Sequence, residues 1–193
     1  MNKLEANKSI GIIGGGQLAL MMLPAARNLG YRAVILDPDE HCASAKEVDD
    51  LVIGDFCSSE ALSELARKSD FITFEIEKVS VENLRMLESR GKIVRPSSSV
   101  LSKVQDKLLQ KKELSRLGVP VGDYDDLGDV NELEERMPCV WKARTAGYDG
   151  KGVIVLRKLA DLEKVPNSPG YTESLVDLDY ELAILVGRGA DGE

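Results

Sequence analysis

Near the N-terminus a short apolar run, Ser9–Ile13, leads into three consecutive glycines and then into a segment with helical apolar spacing. Leu18, Met21, Met22, Ala25 and Leu29 recur at the period of one helix face, and Gly30 supplies a stop. A second apolar run, Arg32–Asp37, is closed by Pro38. A strand that enters a helix through glycine and returns as a strand is a β-loop-α-β unit, which restricts the chain to parallel pairing. The pattern continues: strand at 51–54, helix at 58–68, strand at 70–75, helix at 81–89 and strand at 92–94. Such alternation predicts a parallel sheet with helices on its faces.

Arg95-Pro96-Ser97-Ser98-Ser99 is a turn-rich break, and a domain boundary is placed near Pro96, giving domains at 1–96 and 97–193. Beyond it Leu101, Val104 and Leu108 mark one lysine-rich helix ended by Gly118. The remainder changes character. Strands are predicted at 138–144 and 153–157, a short helical piece at 161–165, and two more strands at 171–176 and 180–188. This is an α+β module with antiparallel hairpins. The strand around Glu181–Val186 is followed by a hairpin-turn sequence, Ala190-Asp191-Gly192, and the sequence stops at Glu193. It reads either as an edge strand or as part of a longer chain.

Composition narrows the function classes. With 25 Lys+Arg against 33 Asp+Glu the net charge is −8, and no basic stripe stands out. Nucleic-acid affinity depends on clustered Lys and Arg, so that class is excluded. Cys42, Cys57 and Cys139 are widely separated and odd in number, which reads as reduced thiols of a cytoplasmic protein. No signal peptide or membrane span is recognised, and the apolar stretch Leu18–Leu23 is far too short to cross a bilayer.

Gly14, Gly16 and Ala19 fit the G-x-G-x-x-A form of the dinucleotide fingerprint. Missing side chains let backbone N–H groups approach an anion at a helix N-terminus. Asp37 ends the second strand about twenty residues on, where a dehydrogenase holds a ribose hydroxyl. One reading is therefore an NAD-binding oxidoreductase, although the single His41 offers no evident partner for hydride transfer. The other is a glycine turn that serves tight packing alone.

A second glycine-bearing segment, Lys142 to Gly152, lies between two predicted strands. Its glycines and lysines suit a loop folded over a triphosphate. It is not a Walker loop, because no G-K-[ST] opens a helix. Read alone, Lys142 fits a solvated strand face equally well.

GIIGGGQLALMM at 11–22, FEIEKV at 74–79, VQDKLLQKKEL at 104–114, AGYDGKG at 146–152 and TESLVDLDYELAILVGR at 172–188 stand in that order. Together they resemble the N5-carboxyaminoimidazole ribonucleotide synthase family, ATP-grasp carboxylating enzymes of purine biosynthesis. The resemblance covers the chain from Ile10 onward. A sister family, the formate-dependent glycinamide ribonucleotide transformylases, shares the E-I-E segment but has a serine-rich phosphate loop, against which Tyr148-Asp149 argues.

The resemblance implies a Rossmann-like pre-ATP-grasp domain followed by an α+β ATP-grasp small subdomain and the start of the next, so that the fold breaks off incomplete. ATP and bicarbonate would give carboxyphosphate, and the 5-amino group of aminoimidazole ribonucleotide would take up CO2. On this view the first glycine loop serves substrate: Gly16, Gln17 and Leu18 meet its phosphate region and Glu75 its ribose hydroxyls, while Asp37 becomes a strand-end turn residue. Lys107 and Lys142 would meet ATP phosphates, with Ala146, Gly147, Gly150 and Gly152 in the lid over them. Glu173 and Val176 would hold adenine and Glu181 the ATP ribose. Tyr148, Asp149 and Lys151 would be catalytic, with Asp149 toward the reacting amine and Lys151 toward carboxyphosphate.

Five positions depart from the family pattern. Lys107 stands for Arg, Ala146 for Gly, Lys78 for Asn, and Ala19-Leu20 for Gly-Arg. The family's Mg2+ carboxylates are expected beyond residue 193, so no metal ligand is expected within it. The family implies a homodimer. A second chain supplying the remainder, or a nucleotide-binding module without turnover, are the accompanying expectations.

Overall fold

The computed structural model describes residues 8–126, 130–145, 152–187 and 189. They form two compact units, the first running to Val119 and taking in Arg144 and Thr145, the second beginning at Pro120. Pro96 follows the last strand of the first unit's sheet, and the next two helices still belong to that unit.

The first unit is built on five parallel strands: β1 (Ser9–Ile13), β2 (Arg32–Asp37), β3 (Asp50–Ile53), β4 (Phe71–Phe74) and β5 (Ile93–Val94). Their order is β3-β2-β1-β4-β5. The chain builds outward from β1 in one direction, then returns to its other side with β4. That reversal leaves a crevice at the C-terminal ends of β1 and β4, where open α/β sheets bind ligands.

The connecting helices are α1 (Gln17–Asn28), α2 (Ser59–Lys68) and α3 (Val81–Ser89). Ser58 caps α2 and Ser80 caps α3, each accepting a backbone N–H bond through its hydroxyl. Successive residues of β1 face opposite sides of the sheet. Ile13 joins Val34, Leu36, Ile72 and the inward residues of α2 and α3, whereas Ile12 joins Ile35 with Ala19 and Leu23 of α1. Full burial of one such aliphatic side chain stabilises by about 1.5–3 kcal/mol.

The single lysine-rich helix expected after Pro96 is two helices, α4 (Ser98–Val104) and α5 (Lys107–Arg116). The break occurs because Asp106 adopts extended backbone and its carboxylate accepts from the Leu108 and Leu109 amides, starting a new helix.

The second unit is an antiparallel sheet of order β6-β9-β7-β8, from β6 (Tyr124–Asp125), β7 (Cys139–Ala143), β8 (Val153–Leu156) and β9 (Gly170–Ser174). Two 3-10 segments, Val130–Arg136 and Leu159–Lys164, precede β7 and follow β8. Leu133, Cys139, Trp141 and Leu156 form its core.

A further expectation fails. Residues 180–187 form no strand, and Leu182, Ile184, Leu185 and Val186 stand at least 80% exposed. A strand exists through pairing, and among the described residues none pairs with this segment. The expected turn at Ala190-Asp191-Gly192 lies outside the described residues.

Gly170 lets the indole of Trp141 lie directly on the β9 backbone, where a Cβ would collide with the ring. Gly170→Ala is expected to destabilise the second unit by about 1–3 kcal/mol. Urea unfolding followed by fluorescence of Trp141, the chain's single tryptophan, measures this.

Candidate functional site

The first glycine loop lies at the crevice between β1 and β4. Gly14 has φ +97°, in the left-handed region, and a Cβ there would come within 2.6 Å of the Glu75 carboxylate. Only glycine meets both conditions at low cost. The Gly15 peptide is held from both sides: its N–H donates to Asp37 Oδ2 at 2.7 Å, and its carbonyl accepts from the Ser44 amide and hydroxyl. The Gly16 N–H donates to Glu75 Oε1 at 3.1 Å. Gln17 and Leu18 follow as the exposed first residues of α1, whose first turn holds no acidic side chain.

The structure therefore brings Gly16 and Glu75 into contact, with Gln17 and Leu18 next in the chain. Asp37 is 9% exposed, and its second oxygen accepts from the Asp39 amide. Both oxygens face backbone, which fits a strand-end turn residue better than a ribose ligand. Two amides that a dinucleotide pyrophosphate would use already face carboxylates, and a second anion there would meet like charge. Ser44, which braces the Gly15 carbonyl from the other side, is the feature that sequence reasoning missed. An Asp closing a strand signals a turn, but nothing in the sequence marks Ser44 as its partner across the glycine.

In the second unit, Lys142 on β7 and Glu173 on β9 meet. Lys142 Nζ lies 2.8 Å from Glu173 Oε2, and the buried Tyr171 donates its hydroxyl to Glu173 Oε1 at 2.8 Å. The pairing register sets this, since Lys142 lies opposite Tyr171 and Val140 opposite Glu173. The Lys142 and Glu173 side chains are 28% and 13% exposed, so the pair is shielded but reachable. A cleft of about 210 Å³ beside β6 and β9 is lined by Asp125, Arg136, Thr172 and Glu173 among others. Gly152, at φ +83°, accepts the Ala143 N–H at 2.8 Å. Val176 and Glu181 lie past β9 in exposed backbone without regular structure. Ala146, Gly147, Tyr148, Asp149, Gly150 and Lys151 lie outside the described residues.

Lys107 opens α5, and its amide donates to the Arg144 carbonyl at 2.8 Å. Arg144 in turn reaches Asp106 with Nε and Nη2, the shortest contact being 2.6 Å. The sequence carried a signal for Asp106, an Asp directly before a helix start, and none for Arg144. Among the described residues no group of three or more His, Cys, Asp or Glu side chains is placed to hold a metal ion. Nor is any helix among them long and apolar enough to cross a membrane.

Burial pushes the Asp106 carboxyl up, but the Arg144 guanidinium and the Leu109 and Leu108 amides outweigh it and hold the group below its ordinary 3.8. A depressed carboxyl stabilises the fold fully above the unfolded value and loses that contribution as pH falls through the folded value. Acid unfolding below about pH 4 should therefore be shallower in Asp106→Asn than in the wild-type chain, as followed by circular dichroism.

Comparison with known proteins shows two domain families in order. The ribonucleotide synthetase preATP-grasp domain matches residues 7–105, and the ATP-grasp domain matches residues 112–193. The chain is similar to N5-carboxyaminoimidazole ribonucleotide synthase of Synechococcus elongatus, at 36% identity over 192 residues, 95% of this chain and 49% of that protein. Among solved structures it is similar to the N5-carboxyaminoimidazole ribonucleotide synthetase of Thermotoga maritima, with a TM-score of 0.89 and 34% identity over 96% of this chain and 51% of that one. It also resembles the Aspergillus clavatus synthase crystallised with ADP and 5-aminoimidazole ribonucleotide, with a TM-score of 0.78 and 28% identity over 90% and 48%. The chain spans about half the length of the curated relatives it matches.

Proposed function

Because the chain belongs to the N5-carboxyaminoimidazole ribonucleotide synthase family, we propose that it carries the substrate-binding domain and part of the nucleotide-binding fold of an enzyme that carboxylates aminoimidazole ribonucleotide. In the proposed reaction a bicarbonate oxygen attacks the γ-phosphorus of ATP and ADP leaves, giving carboxyphosphate. The 5-amino nitrogen then bonds to the carboxyl carbon, phosphate departs, and the amine gives up a proton. The products are the N5-carbamate, ADP and phosphate.

The residues divide between the steps by chemistry. Gln17 and Leu18, the exposed first residues of α1, present their amides to a monophosphate, where the helix N-terminus favours an anion, and Gly16, its own amide committed to Glu75, gives the phosphate room to approach. Glu75 uses one oxygen on the Gly16 amide, and its other oxygen suits a ribose hydroxyl. Lys107 and Lys142 are the cations for nucleotide phosphates, with Ala146, Gly147, Gly150 and Gly152 over them. Glu173 and Val176 take the adenine edge, and Glu181 the ATP ribose. Asp149 accepts the amine proton, and Tyr148 and Lys151 face bicarbonate and carboxyphosphate. Among the described residues no group of three or more His, Cys, Asp or Glu side chains is placed to hold magnesium. A homodimer, a cytoplasmic setting and a second chain carrying the remaining half belong to the same proposal.

The observation that supports this reading is the Lys142–Glu173 pair, a lysine and a carboxylate held 2.8 Å apart on neighbouring strands. A ligand with both anionic and hydrogen-bonding parts can satisfy each partner in place of the other.

Isothermal titration of the chain with ADP should show binding that Lys142→Ala weakens by about tenfold or more, the range for losing one charge-assisted hydrogen bond, while NAD should not bind. Absence of ADP binding by the folded chain would contradict the proposal. Phosphate release from ATP that requires both aminoimidazole ribonucleotide and bicarbonate would establish turnover. ADP binding without such release would leave a nucleotide-binding module.

A further inference from the structure

The two residues between α4 and α5 reach in opposite directions. Gln105 donates both protons of its amide nitrogen to the segment after β4, to the Glu77 carbonyl at 2.6 Å and the Val79 carbonyl at 2.8 Å. That segment begins with Glu75, whose amide is bonded to Ile13 and whose carboxylate holds Gly16. Asp106, the next residue, accepts the fork of Arg144 at 3.2, 2.9 and 2.6 Å. It also accepts the Leu108 and Leu109 amides, and the Lys107 amide closes the arrangement by donating to the Arg144 carbonyl. One dipeptide thus fixes the loop that carries Glu75 and the helix start that carries Lys107.

We infer that Gln105 and Asp106 are positioning residues, Gln105 for the aminoimidazole ribonucleotide contact made by Glu75 and Asp106, through Arg144, for the nucleotide contact made by Lys107. The inference rests on the proposed function and adds to it two residues that touch neither ligand. Its physical basis is directional. A primary amide with both protons committed to backbone carbonyls two residues apart fixes the path of that turn. A guanidinium fork on a carboxylate fixes orientation as well as distance, which a lysine cannot do. Because Asn caps a helix as well as Asp does, Asp106→Asn keeps the start of α5 while removing the charge that holds Arg144.

The test is paired titration of the chain with aminoimidazole ribonucleotide and with ADP, together with amide hydrogen exchange, for the wild type, Gln105→Ala and Asp106→Asn. Gln105→Ala should weaken aminoimidazole ribonucleotide by about tenfold, change ADP by less than about twofold, and speed exchange at Gly16 and Val79. Asp106→Asn should show the converse split, with faster exchange at Lys107. Arg144→Lys, which keeps the charge but loses the fork, should follow Asp106→Asn and gives the same comparison if that variant folds poorly. A merely structural role would weaken both ligands together or lower the melting temperature with affinities unchanged, and either result overturns the inference. Wild-type binding of both ligands with variants that bind equally well overturns the inference alone. Failure of the folded wild type to bind either ligand overturns the proposed function as well.

Discussion

A backbone N–H pointed into a turn of glycines has no side chain nearby to receive it, and leaving it unpaired costs about 1–3 kcal/mol. The loop after β1 meets this constraint by borrowing carboxylates from the ends of two other strands. Asp37 from β2 takes Gly15 and Glu75 from beyond β4 takes Gly16. The bonds require β2 and β4 to flank β1 with their C-terminal ends level, which is the observed sheet order. The same bonds hold negative charge under the loop and leave the first exposed turn of α1 as its accessible polar edge.

The second unit balances charge differently. Lys142 and Glu173 neutralise one another across two strands, with Tyr171 filling the remaining oxygen of the carboxylate. Partly buried charges are costly without partners, and here each charge finds its partner within the sheet. The strands and not the side chains set the spacing of the pair.

Much of this was legible in the sequence. The apolar periods gave β1 to β5 and α1 to α3, since a parallel sheet buried on both faces is written as short continuous apolar runs. The residues Gly16, Glu75, Lys142 and Glu173 were selected by the family resemblance, and the fold brings them together in two pairs. Other features were illegible for identifiable reasons. The α4–α5 break turns on Asp106, whose helix-starting role competes with a lysine-rich helical pattern on both sides. The brace from Ser44 and the fork of Arg144 are long-range contacts with no local period. The segment 180–187 has the composition of a strand, but composition specifies a preference and only a neighbouring strand can supply the ladder.

Ile12 and Ile13 are each fully buried, yet they belong to separate apolar clusters on opposite faces of the first sheet. Adjacent peptide units cannot come apart independently, so β1 is a common wall between the two cores. Loosening α1 from its face frees Ile12 and, through the shared backbone, slackens the hold on Ile13 beneath α2 and α3. The first unit is in this respect one cooperative element with two interiors, and damage to either interior is felt at the glycine loop that grows from the end of the wall.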